Sequence, residues 1–148
     1  TYSLAAQLCD KAPENMLAAK FSVPFAIATT IIHGHSGVES FLPNKVGRPE
    51  IKSLASRVEV EENPEFTQMM PSRRPSRVTV RLKDGNRLTE TVYISKGDIE
   101  DPYSTDELDT KFLNLTKPIY GSRKAKEILE QTKKIETFRN IRNYTKGL

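Results

Sequence analysis

Apolar residues recur at helical spacing in the first and last thirds of the chain and at every second position between them, which predicts helices flanking a small sheet. A short helical turn is expected from Leu4 to Asp10. The stretch from Ser22 to Gly34 carries the punctuation of a longer helix. Ser22 can cap free backbone N–H groups, Pro24 is tolerated in a first turn, and Gly34 suits a left-handed exit. Phe25, Ile27, Ala28, Ile31 and Ile32 leave almost no polar face, so this helix is expected to be central and buried on most sides. Ile51, Leu54 and Ala55 place a third helix from Pro49 to Ser56.

The period then becomes two. Val58 and Val60 alternate with Glu59 and Glu61; Val78, Val80 and Leu82 alternate with Thr79, Arg81 and Lys83; Leu88, Val92 and Ile94 share a face. Three strands are predicted, the last two joined as a hairpin at Asp84-Gly85-Asn86, where Gly and Asn accept positive φ at low cost. The segment from Asn63 to Pro75, with three prolines, is expected to be an exposed loop. Ser104 and Glu107 form a capping box that opens a helix with Leu108, Phe112 and Leu115 inward, closed by Pro118. A last amphipathic helix is expected from Ser122 to about Phe138, with Ala125, Ile128, Leu129, Thr132, Ile135 and Phe138 on one stripe. The fold class is therefore α+β: a small antiparallel sheet packed with helices, followed by carboxyl-terminal helices. A boundary is expected near Asp101, dividing the chain into 1–101 and 102–148.

Composition adds limits. The 148 residues, 36% hydrophobic and 28% charged, suffice for one domain with a modest core. Cys9 has no partner for an internal disulfide, and no apolar run is long enough for a membrane span, so a cytoplasmic home is expected. The first residues lack a secretory pattern and an initiator Met, and the amino terminus reads as cut. Residues 1–101 carry 13 basic and 13 acidic side chains, whereas 102–148 carry 10 and 6, which puts the net charge of +4 in the last third. That basic tail, with Phe138 and Tyr144 interleaved among Lys133, Lys134, Arg139, Arg142 and Lys146, has the composition of a nucleic-acid surface. Its alternation of Lys with Glu, including a Glu130–Lys134 pair at i, i+4, favours a solvated helix face instead.

Candidate chemistry is sparse. His33 and His35 flank Gly34, but no Cys or acidic cluster completes a metal set, and capping or surface roles are favoured. Cys9, with no base identified, reads as a small buried apolar residue. Gly34-His-Ser-Gly37 has neither the spacing nor the preceding strand of a phosphate loop. Asp98, Glu100 and Asp101 read as solvated turn residues.

One segment carries more. Ala19-Lys-Phe-Ser-Val-Pro-Phe-Ala-Ile-Ala28, followed by His33-Gly34, resembles the Lys-Phe-Ser-Leu-Pro-Tyr segment of the MmgE/PrpD family, the family of 2-methylcitrate dehydratase. The hairpin Arg77-Val-Thr-Val-Arg-Leu-Lys-Asp-Gly85, the loop Lys96-Gly-Asp-Ile-Glu-Asp-Pro-Tyr-Ser104 and Glu107 to Phe112 agree with it in order and spacing.

The resemblance implies a two-domain enzyme, with residues 1–101 the later part of an α+β lid and 102–148 helices returning to a helical domain. It implies lyase or isomerase chemistry on small polycarboxylates without an iron–sulfur cluster or other cofactor. The partners it implies are a small carboxylate substrate and a missing amino-terminal helical domain or another subunit, with a homo-oligomer as the full-length form and neither membrane nor nucleic acid. Lys20 and Ser22 match the motif and are the candidate substrate-binding residues. Each has a plain alternative, a solvated lysine and a helix cap. Phe25 stands where relatives often carry a Tyr facing the cleft, and the acid–base motifs of the helical domain have no counterpart here. The chain alone is therefore expected to be inactive, the alternative being a non-enzymatic interaction module that retains the lid fold.

Overall fold

Ser22 begins the helix that organises the amino-terminal half. In the computed structural model, which describes the backbone of residues 2–146 and the side chains of 5–146, its Oγ accepts from the Phe25 N–H at 3.0 Å and donates to the Asp10 carbonyl. The hydroxyl thereby satisfies one orphan donor of the first turn and ties it to the preceding loop. Five helices precede the sheet: α1 (Tyr2–Gln7), α2 (Met16–Lys20), α3 (Val23–His33), α4 (Pro49–Ala55) and α5 (Pro64–Gln68), with a 3₁₀ turn at Val38–Phe41. Gly34 closes α3 at φ 78°, a left-handed conformation that costs glycine nothing.

Two compact units divide at Ser95/Lys96. The core of the first is Ala19, Phe25, Ala28, Ile51 and Ala55, with Phe41, Val46 and Leu54 packed on it; α3 against α4 is its main helix pairing. The small residues Ala28 and Ala55 let the helices approach closely, and Phe25 fills the remaining space with its ring 5.6 Å from Phe41. The helix α3 is buried on this side only: Ile31 and Ile32 are 52% and 37% exposed, contrary to the expectation from its composition.

The sheet is the hairpin β1 (Ser76–Arg81) and β2 (Arg87–Val92), antiparallel in the register Val80 opposite Leu88. Its loop is as the sequence predicts. Gly85, at φ 89°, donates to the Leu82 carbonyl at 3.1 Å, Leu82 N–H donates to Asn86 at 2.8 Å, and Asp84 accepts from the Asn86 N–H and side-chain amide. The expected strand at Val58–Glu61 does not form. Val58 and Val60 are half-buried and Glu59 and Glu61 exposed, so the strand-like alternation persists in a segment that has no strand partner. Inside the expected loop, α5 forms because Asn63 caps it through bonds from Glu65 and Phe66 N–H while Pro64 fills its first position. Phe66 then anchors this turn to the hairpin, edge-on to Tyr93 at 6.1 Å and beneath the Arg77 guanidinium at 5.1 Å.

In the second unit, the capping box forms: Ser104 Oγ accepts from Glu107 N–H at 3.3 Å and Glu107 accepts from Ser104 N–H at 2.8 Å. It opens α6 (Thr105–Lys133), which runs through Pro118 and breaks at Gly121, φ 75° and ψ 162°. Proline removes one N–H and bends a helix, whereas this glycine reverses it. Lys133 bonds to Asp109, 24 residues earlier; along an unbroken helix the two would stand about 36 Å apart. The element is thus two helical segments folded back on each other. Ala125, Ile128 and Leu129 are buried as predicted, while Leu108 and Leu115 stay 51% and 45% exposed. A 3₁₀ turn (Ile135–Thr137) ends this stretch earlier than expected, and α7 (Ile141–Thr145) follows, with Tyr144 hydroxyl bonded to Thr132 at 2.9 Å and its ring edge-on to Phe138.

Candidate functional site

The α2–α3 corner and a groove beside it are the two places in the first unit where function can reside. Lys20, the last residue of α2, is exposed; Ser22 is 2% exposed and its hydroxyl is engaged on both sides by the cap. The motif therefore separates into a lysine free to meet an anion and a serine that fixes the direction of α3. Phe25 is 2% exposed, its ring in the core.

The groove, about 820 Å³, starts at the next turn. Val23, Ile27 and Ile31 of α3, with Leu8 and Leu54, form its apolar part. The segment 57–61 and all of β1 also line it, as does Phe66. It carries five arginines, Arg57, Arg74, Arg77, Arg81 and Arg87, against Glu59 and Glu61. Neither Lys20 nor Ser22 lines it. No motif pointed to this groove; the signal that could have found it is Arg77 and Arg81, four residues apart and flanking Thr79 on the sheet face opposite Val78 and Val80.

The other candidates fare as follows. His35 Nδ1 accepts from Gly37 N–H at 3.2 Å and lies 3.4 Å from Ser40 Oγ, while His33 Nε2 is buried without a hydrogen-bond partner, as is Thr29 Oγ1. Among the described residues no group of three or more His, Cys, Asp or Glu is placed to hold a metal. Cys9 is exposed, not buried, with Sγ 3.2 Å from the Ala6 carbonyl. Lys96 pairs with Asp101 at 3.0 Å and Glu107 at 3.5 Å, and the bond to Asp101 raises its pKa. Hydrogen bonds from Ser104, the backbone one foremost, lower that of Glu107. In the basic tail Lys133 pairs with Asp109, which raises its pKa, and with Glu130 at 3.7 Å; Glu130 thus meets the residue at i+3 rather than Lys134. No helix of the described residues is long and apolar enough to cross a membrane.

Residues 1–137 match the model of the MmgE/PrpD C-terminal domain. The chain belongs to the MmgE/PrpD family. Similar curated proteins are cis-aconitate decarboxylases: that of Mus musculus is 26% identical over 100 residues, 68% of this chain and 20% of the relative. That of Aspergillus terreus is 24% identical over 121 residues, 80% of this chain and 24% of the relative. The chain thus spans a quarter or less of the length of these curated relatives. The family match covers the corner, the groove and all of α6.

Proposed function

We propose that this chain is the carboxyl-terminal portion of an MmgE/PrpD lyase or isomerase acting on small polycarboxylates, and that it contributes one wall of a catalytic cleft completed by the amino-terminal part of the family's polypeptide. The observation that carries this reading is the family match over residues 1–137 together with relatives named for decarboxylation of cis-aconitate, a tricarboxylate. Loss of carbon dioxide or of water beside a carboxylate leaves negative charge on the reacting carbons, and cations held in place stabilise it. Lys20 is the group we assign to a substrate carboxylate; Ser22, engaged in the cap, positions it through the α2–α3 corner. We assign the proton donor or base to the other part. The open groove, part apolar and part arginine-lined, supports a second reading, an interaction module without catalysis.

The test is to assay cis-aconitate decarboxylation and 2-methylcitrate dehydration by the 148-residue chain alone and mixed with the amino-terminal part of a family member. The expected result is activity only in the mixture, and a loss of about tenfold or more in kcat/KM for Lys20→Ala. Activity of the chain alone refutes its dependence on a second part. Inactivity of the mixture on both acids favours the module.

A further inference from the structure

Among the described residues the edge of β1 that faces away from β2 has no strand beside it, since the sheet has two strands in the order β1-β2. In an antiparallel ladder alternate residues direct both backbone groups toward the partner. Leu82 does so, because it donates to Asn86 and accepts from Gly85. By alternation Val80 and Val78 do the same, and Arg77, Thr79 and Arg81 aim their N–H and C=O groups outward. All three line the groove, and so do Val58, Val60 and the backbone around them, a segment with strand-like alternation but no partner. Two stretches with strand-like alternation thus border the groove, and neither has a strand beside it there.

Charge describes the missing neighbour. Arg81 stands directly opposite Arg87 across the hairpin, a like-charge pair that is unfavourable unless an anion lies near. With Arg57, Arg74 and Arg77 the groove holds five arginines against two glutamates. A second copy of this chain is a poor occupant, because pairing the two edges antiparallel about Thr79 would set Arg77 of each copy against Arg81 of the other. The curated relatives carry three quarters or more of their length outside the matched segment, so polypeptide of the same family is available to fill it.

We propose that the groove receives an extended, acid-bearing segment from the amino-terminal part of an MmgE/PrpD polypeptide, which adds a strand to the free edge of β1. Its backbone pairs with Arg77, Thr79 and Arg81, its alternate apolar side chains cover Ile27, Ile31 and Val80, and its carboxylates meet the arginines. The inference rests on family membership and not on catalysis, and its test uses no substrate, so it can fail independently of the enzymatic reading.

Overlapping peptides covering the part of the Aspergillus terreus relative outside the matched segment are titrated into the 148-residue chain, with amide hydrogen exchange followed residue by residue. The expected result is a peptide with alternating acidic and apolar residues that slows exchange at Arg77, Thr79 and Arg81. Thr79→Pro removes an outward-facing N–H while leaving the ladder to β2 intact, and should weaken binding about tenfold or more. Arg81→Glu keeps the edge and should shift preference toward a peptide with Lys in place of its acids, which guards against a Thr79→Pro variant that fails to fold. The proposal is overturned if no peptide protects these three amides, if Thr79→Pro binds as tightly, or if charge reversal leaves the preference unchanged.

Discussion

Phe25 shows what one added atom would cost at a buried position. Its ring is packed in the core and 2% exposed, so a hydroxyl added at its tip would be desolvated among apolar neighbours. Phe25→Tyr should therefore cost about 1–3 kcal/mol, the penalty of a buried donor without a partner. Urea unfolding of the variant checks this; an unchanged midpoint would mean that the ring tip reaches a polar edge. Lys20 and Ser22, neighbours in the motif, have opposite environments for a related reason. A hydroxyl can both give and accept a hydrogen bond and is consumed by the cap, while an ammonium on a long stem stays in solvent.

The elements that were legible in the sequence are those whose stabilisation is local. Ser22, Pro24 and Gly34 specify α3 with groups inside the helix and its ends, and Asp84, Gly85 and Asn86 close the hairpin among themselves. The strand expected at Val58–Glu61 was not legible as absent, because alternation records which residues are covered and not whether a neighbouring backbone supplies hydrogen bonds. Turn α5 was hidden under a rule that clustered prolines mean loop, although Asn63-Pro64 is itself a helix start. The groove was hidden too, since it joins residues from α1, α3, the segment 57–61 and β1 that share no sequence spacing. Where electrostatics are local they are again readable. Glu107 is stabilised as a carboxylate by Ser104, so its folded-state pKa lies below its ordinary value of 4.5. The bonds it makes are fully present above the unfolded pKa and lost as pH falls through the depressed one. A carboxyl NMR titration should place its midpoint below 4.5, and Ser104→Ala should move it only part of the way back, since the backbone N–H bond remains. Lys96 and Lys133 have the opposite sign: their ion pairs hold below the ordinary 10.5 and are lost as pH rises through the raised values.

At the scale of the molecule the chain has two units whose surfaces differ in kind. The first leaves apolar side chains of α3 and an unpaired strand edge open along one groove, whereas the second spreads its basic excess over helices in which Lys133 and Arg123 have acidic neighbours. The break at Gly121 gives the second unit a liability of its own. A Cβ there would meet no atom within 4 Å, so what reserves the position for glycine is backbone conformation alone. Forcing alanine into it costs about 1–3 kcal/mol, and straightening the turn relieves that strain by making one rod about 43 Å long from the 29 residues of α6. Ala125, Ile128 and Leu129 would then leave their burial sites and could be reclaimed only by another chain. Gly121→Ala should accordingly give a domain-swapped dimer whose fraction rises with concentration in size-exclusion chromatography, each Lys133 meeting the Asp109 of the other copy.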